Sequence, residues 1–317
     1  MSSVDVVIPC FQYGRFLRDS VDSVLRQDVG ALRVLIIDNG STDNSLAVAR
    51  QLARDNPSVE VVAHKRNLGP TASLNEGIDW AKADYFMTLD ADDLLAPGCV
   101  KRAVSVMDGD DSIVFCHGAE RFITGDETID QAWTGSTSDC DWATASGEAF
   151  ISRLCSKAYN LVANPTVVRR TKVQKAVGYY YPELKYADDM NMWMRLAIRG
   201  RVAETSAVQG IRRIHPGQQT QSYRDAPVRD LIEHLNNFEH FFCHEGRELP
   251  AAPRDRARML RRTAFNGLYA AGALMLQGRL KQSLPCIRFS MTTCGGLLGP
   301  SRRRTFEAAD ATSRNGY

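Results

Sequence analysis

Three carboxylates fall within four residues at Asp90-Ala91-Asp92-Asp93, directly after the apolar run Tyr85 to Leu89. Such a cluster repels itself unless a cation lies among its oxygens, and hard oxygen ligands of this kind suit Mg²⁺ or Mn²⁺ bound together with a phosphate. The same aspartates also suit a turn leading into the helix expected from Pro97. A second polar cluster, Asp38-Asn39-Gly40-Ser41-Thr42-Asp43, follows the run Leu32 to Ile37. Gly40 and Asp43 read as a turn and a helix cap. Asp38 and Asn39 stand where they can hydrogen-bond a ribose or a base, and an amide carries both the donor and the acceptor of a pyrimidine edge. After the first apolar run, Pro9 ends the strand and Phe11 is either a core side chain or a ring for a base to stack on.

Positioning these groups requires a regular frame, and the hydrophobic periodicity supplies one. Val4 to Ile8, Leu32 to Ile37, Val59 to Ala63 and Tyr85 to Leu89 read as strands. Between them Phe16 to Gln27, Asp43 to Arg54 and Thr71 to Ala81 read as helices, and Pro97 to Met107 as another before a strand at Ile113 to Cys116. Near-continuous apolar strands alternating with helices mean an α/β fold with a mostly parallel central sheet covered on both faces. In such sheets ligands bind beyond the carboxyl ends of the strands, where all three polar clusters stand. Thr124 to Ser146 reads as an irregular excursion. Ala187 to Arg199 reads as a buried helix, with two short strands near Val202 and Ile211. From Val228 to about residue 293 the pattern is a helical extension.

Composition excludes several classes. With 317 residues, 44% hydrophobic and 24% charged, the chain is an ordinary globular protein able to bury a large core. Its eight cysteines contain no C-x-x-C pair, which excludes a zinc ribbon or thioredoxin-like motif and favours reduced thiols in the cytoplasm. The strand-like run four residues from Met1 leaves no room for a signal peptide. The longest uncharged stretch, Thr263 to Gly278, is too short to span a bilayer. No G-x-G-x-x-G occurs, which argues against a dinucleotide dehydrogenase.

Four motifs in order resemble the amino-terminal half of a family 2 glycosyltransferase with the GT-A fold. They are Val6-Val7-Ile8-Pro9-Cys10-Phe11, Asp38 to Asp43, Asn67-Leu68-Gly69 with Asn75-Glu76-Gly77, and Asp90 to Asp93. Further on, Asp188-Asp189 before a Trp193-containing helix is similar to the family's acidic pair, and His215-Pro216-Gly217-Gln218-Gln219 to the segment that often follows. The resemblance covers residues 3 to 222. It implies a GT-A domain over residues 1–222, with a nucleotide-sugar half (1–116) and an acceptor and catalytic half (117–222), followed by the helical extension 223–317.

The resemblance also implies roles. Nucleotide contacts would come from Pro9, Phe11, Asp38, Asn39 and Asp90, with Asp92 as the main metal ligand for Mn²⁺ or Mg²⁺. As a neutral imidazole, His215 reads as a further metal ligand, a diphosphate contact or a surface residue of the loop. Asp189 would be the catalytic base beside Asp188, and the helix dipole would favour its ionised form. Trp193 is either core or acceptor-facing. Asn39 stands where an acid is common, Gln12 where Asn is common, and Leu74 where an arginine is frequent; Arg66 or Lys65 would replace the lost cation. The partners implied are a nucleotide-sugar donor, UDP- or dTDP-linked, and a carbohydrate or glycolipid acceptor.

Two rivals remain on the same sheet: a catalytically silent nucleotide-sugar scaffold, and a sugar-nucleotide nucleotidyltransferase, which lacks its Gly-rich basic loop here. Ala251 to Arg304 holds eleven Lys/Arg against one acid, Asp255. That stretch reads as a solvated helix face or as a contact with anionic membrane at its inner face. It does not read as a nucleic-acid site, because no aromatic platform accompanies the charge.

Overall fold

The computed structural model describes residues 2–125, 127, 140–218, 223 and 226–295. They divide into two compact units: Met1–Ile151 with Asn160–Glu183 and Asp188–Pro216, and Ser152–Tyr159 with Leu184–Ala187 and Gly217–Tyr317.

The first unit is built on β1 (Ser3–Cys10), β2 (Ala31–Asp38), β3 (Val59–Ala63) and β4 (Tyr85–Thr88). Val4, Val6, Val7 and Ile8 are all fully buried, as a strand covered on both faces requires. Each such side chain contributes about 1.5–3 kcal/mol by leaving water. Helices α1 (Gly14–Leu25), α2 (Ser45–Asp55) and α3 (Pro70–Trp80) connect these strands. Helix α1 buries Phe16, Leu17, Val21 and Val24 at helical spacing. Helix α3 approaches β1 so closely that a Cβ on Gly77 would lie 2.6 Å from a Val7 methyl.

The rest of the unit comprises β5 (Leu94–Leu95), α4 (Cys99–Gly109), β6 (Ile113–Thr124), β7 (Ala143–Ser146), the first turn of α5 (Gly147–Lys157), β8 (Val168–Arg170), α6 (Thr171–Val177), α7 (Asp188–Ala197) and β9 (Arg201–Ile214). The sheet runs β3-β2-β1-β4-β8-β6-β9-β5, with β7 also on β9. The pairs among β1 to β4 are parallel, as is β6 with β9; β8, β5 and β7 enter antiparallel. The sheet is therefore mixed in its second half.

The two short strands expected near Val202 and Ile211 are one strand of 14 residues. Its pairing with β6 shifts register three times between Ile113 and Glu120, so the inward–outward alternation breaks and the sequence reads as two pieces. The excursion expected over Thr124 to Ser146 falls mostly outside the described residues, apart from β7 at its end.

The second unit carries α8 (Pro227–Cys243), α9 (Ala252–Leu276) and α10 (Leu280–Gly295). Within it Tyr159 stacks on His234 with ring centroids 4.2 Å apart, and Tyr186 on Tyr223 at 3.6 Å. Among the described residues no helix is long and apolar enough to cross a membrane.

Candidate active site

Strand register brings the polar loops level. Cys10 pairs with Asp38 and Val7 with Thr88, so the chain leaves β1, β2 and β4 on one edge. Gln12 adopts φ +62°, a left-handed conformation that Asn tolerates better than Gln. Its side chain offsets the strain: Oε1 accepts the Thr42 and Asp43 N–H groups at 3.3 and 3.0 Å, and Nε2 donates to Thr42 Oγ1 at 2.8 Å. The loops after β1 and β2 are thereby fastened together. Pro9 is half-buried, and Phe11 is 39% exposed beside them.

Asp38 is buried and accepts the Ser41 N–H through Oδ2 at 3.2 Å, while its Oδ1 is buried with no hydrogen-bond partner among the described residues. Asn39 behaves differently. Its Nδ2 donates to Asn67 Oδ1 and to the Gly69 carbonyl, both at 3.0 Å; its Oδ1 meets the Leu68 N–H at 2.9 Å and His64 Nδ1 at 2.8 Å. Those four contacts exhaust the capacity of the amide, so it buttresses the 64–69 loop and has no group left for a base edge. On that loop the Arg66 guanidinium is exposed and makes no ion pair among the described residues. The Arg66 backbone presses against Gly40, where an added Cβ would come within 2.5 Å of it.

The acidic cluster after β4 is closed by a pairing between segments far apart in the chain. Leu94–Leu95 pairs with Ile211–Gly210, which carries Arg213 and His215 to Asp92 and Asp93. Arg213, fully buried, donates its Nε–H to the Asp92 carbonyl at 3.1 Å and its backbone N–H to Asp93 Oδ1 at 3.0 Å. His215 Nε2 lies 3.0 Å from Asp92 Oδ2, with its ring packed on Phe16 and Tyr13 and Arg15 Nη2 3.4 Å from its Nδ1.

The side chain of Asp90 is reached by water. Enclosure by the protein around it, then the charges of Asp92 and Asp189, push its pKa up to about 7; an Asn164 hydrogen bond and Arg212 pull the other way. Burial, with Asp92 and Asp90, holds the Asp93 carboxyl well above the usual range.

The second acidic pair opens α7. Ala187 at φ +56° turns the chain so that Asp188 and Asp189 are the first two helical residues. Asp188 Oδ1 accepts the Asp189 N–H at 3.1 Å, and Asp189 Oδ1 accepts the Met190 N–H at 2.8 Å. Asn160 donates to the other oxygen, Oδ2 of Asp189, at 2.9 Å. Burial and the Asp189 charge raise the Asp188 pKa to about 7. The two acidic groups are near enough that Asp189 acts electrostatically on Asp90. Trp193 stands apart, fully buried against Phe115 and beneath the Arg169 guanidinium.

Several residues of the site carried no signal in the sequence. Arg169 is fully buried, donates to Thr88 Oγ1 at 3.3 Å and to Tyr180 Oη at 3.0 Å, and has no carboxylate in ion-pair range among the described residues. Thr88 in turn donates to Asn164 Oδ1 at 2.8 Å, and Asn164 reaches Asp90. A buried cation is thus linked through two polar side chains to the acidic cluster. Asn160 lies in a loop, Asn164 in a single 3₁₀ turn and Arg169 in a three-residue strand, all too short for periodicity to mark them.

A mixed sheet flanked by helices, with its acidic loops on one edge and a helical region after it, is the GT-A architecture. The S. aureus TarS 1–349 structure in complex with UDP-GlcNAc superposes with a TM-score of 0.58 over 93% of this chain and 92% of that one, at 15% identity. The Pyrobaculum calidifontis mannosyltransferase PcManGT, in complex with GDP-Man and Mn²⁺, gives 0.57 over 94% and 87%, at 17% identity. In sequence, residues 5–173 match Glycosyl transferase family 2, and the chain belongs to that family.

Among curated relatives, an uncharacterized glycosyltransferase of Haemophilus influenzae is 24% identical over 69% of this chain and 67% of its own length. A Nostoc sp. relative, also an uncharacterized glycosyltransferase, is 34% identical over 41% of each. The Pasteurella multocida chondroitin synthase is 32% identical over 40% of this chain, which is 13% of that enzyme.

Proposed function

We propose that the chain is an inverting, metal-dependent glycosyltransferase that moves a sugar from a UDP- or dTDP-linked donor to a hydroxyl of a carbohydrate or glycolipid acceptor. The observation that carries this reading is the convergence of Asp90, Asp92 and Asp93 with Asp188 and Asp189 at one edge of the sheet. The free thiols suit a cytoplasmic setting.

The residues present fit a divalent cation. Burial, then the neighbouring carboxylates, push Asp90 and Asp93 toward the neutral acid, and a divalent cation among these oxygens would favour their ionised form. Among the described residues no three His, Cys, Asp or Glu side chains are arranged to enclose a metal. That is compatible with Mg²⁺ or Mn²⁺, which protein commonly holds through one or two carboxylates with substrate phosphates completing the shell. Asp92 would hold the ion, with His215 beside it. When bound, the ion neutralises charge on the departing diphosphate.

The chain's own residues do the rest. The orphaned Asp38 Oδ1 accepts a hydrogen bond from the nucleotide, Phe11 offers a face for the base, and Arg66 lies on the adjacent loop to meet phosphate charge. The acceptor oxygen attacks the anomeric carbon as the bond to the diphosphate breaks, through an oxocarbenium-like state. Asp189 takes the hydroxyl proton, and Asn160 holds the carboxylate in place for it. A single displacement inverts the anomeric centre.

A thermal-shift panel tests the donor side. UDP or dTDP with Mn²⁺ raises the melting temperature, because a ligand that binds only the folded state must do so. EDTA or Asp92→Asn removes that rise and abolishes transfer. A shift indifferent to metal, or full turnover in chelator, would overturn the assignment of Asp92.

A further inference from the structure

Among the described residues, the helical unit has a second apolar face that its packing does not use. Helices α9 and α10 turn about Gly278, at φ +73°, and pack on each other through small side chains. A Cβ on Gly267 would lie 2.2 Å from Ser290 Oγ, and Ala271, Leu274 and Cys286 form the buried seam. On α9 a different stripe, Phe265, Leu268, Tyr269, Met275 and Leu276, is exposed at spacings of three, four, ten and eleven from Phe265, hence along one side of the helix. Leu276 is 92% exposed and Tyr269 73%. On α10, Leu280, Leu284 and Met291 repeat the pattern at four and eleven. Of the fourteen exposed large hydrophobic side chains among the described residues, eight lie on these two helices. Scattered exposed leucines need no explanation, but two stripes meeting at one hairpin turn do.

Charge identifies what covers the stripes. From Arg256 to Gly295 the sequence contains seven Lys/Arg and no Asp or Glu. Arg279 and Lys281, both exposed, flank the turn between Leu276 and Leu280, and Arg288 is exposed further along α10. A second copy of the chain would bury the leucines but set like charges against each other. An acidic soluble partner would satisfy the charges and leave the leucines unexplained.

We propose that the α9–α10 hairpin is a monotopic membrane anchor. Its turn, with Met275, Leu276, Leu280 and Leu284, enters the headgroup and acyl boundary of an anionic bilayer, while Arg279, Lys281 and Arg288 remain at the phosphates. The inference stands on this face alone and is independent of the donor chemistry.

Co-sedimentation of the full chain with vesicles decides it, using phosphatidylcholine alone and phosphatidylcholine mixed with phosphatidylglycerol. Wild type pellets with the mixed vesicles, more strongly at low salt. The triple variant Leu276→Ser/Leu280→Ser/Leu284→Ser keeps its melting temperature, since all three positions are exposed, and binds at least about 10-fold more weakly. Arg279→Glu/Lys281→Glu also binds the mixed vesicles about 10-fold more weakly and leaves any binding to neutral vesicles unchanged. Wild type remaining in the supernatant with both vesicles, or the serine variant pelleting like wild type, overturns the proposal. So does a wild-type dimer in sedimentation velocity that the serine variant dissociates without any binding to vesicles.

Discussion

The two acidic groups of the sheet edge are held in opposite ways. Asp92 and Asp93 are held by residues of a distant strand: the Arg213 guanidinium donates to the Asp92 carbonyl, the Arg213 backbone N–H to the Asp93 carboxylate, and His215 lies against the Asp92 carboxylate. Asp188 and Asp189 sit on a helix terminus and are held by backbone N–H groups and one neutral amide, Asn160. The first arrangement fixes three carboxylates close together. In the second, backbone N–H groups and the Asn160 amide orient the carboxylate, as a proton acceptor requires. Two clusters of one residue type thus suit different work because of what surrounds them.

Asp189→Asn breaks that contrast most directly. The variant keeps the shape, its one amide oxygen accepting from either Asn160 or the Met190 N–H, but cannot take a proton, so kcat falls by about 100-fold or more. Affinity for the nucleotide with Mn²⁺, read by thermal shift, stays within about twofold of wild type because the donor side is untouched. Undiminished turnover would mean that the base lies elsewhere. A smaller effect is expected from Asn160→Ala, which frees Asp189 Oδ2 while leaving the carboxylate in place. Turnover drops by about 10-fold, mainly in kcat, and the acidic limb of the pH–rate profile moves as Asp189 loses its donor. A loss confined to melting temperature, with the pH profile unchanged, would reduce Asn160 to a structural role.

How much of this was readable from residue types depends on which interactions are local. Strands β1 to β4 and their helices follow from apolar periodicity, and the loops after Ile8, Ile37 and Leu89 share an edge because parallel strands place them there. Asp90 and Asp92 stood out as carboxylates where an apolar run ends, and Asp188 and Asp189 through their likeness to the family's acidic pair. Arg213 and the site-facing geometry of His215 did not, because their neighbours come through the pairing of Leu94–Leu95 with Ile211–Gly210. Asn39 looked available to a ligand; only its four hydrogen bonds to the 64–69 loop reveal otherwise. The hairpin's exposed stripe was hidden for the opposite reason. Both faces of α9 are apolar, so composition alone cannot say which is buried.

The mildest test separates the two members of the second pair by pH. Asp188 has its pKa raised to about 7, first by burial and then by Asp189. A carboxyl that holds its proton in the fold and loses it near pH 4 in the unfolded chain makes stability fall as pH rises from about 4 to 7. Above that range the full penalty is present; below it there is none. Asp188→Asn removes the ionisation, while its Oδ1 can still accept the Asp189 N–H. The variant therefore melts at wild-type temperature near pH 4.5 and about 2 °C or more higher at pH 8. A uniform shift at both pH values would mean that packing, rather than charge, sets the difference, and Asp188 would then be no different from a polar residue at any helix start.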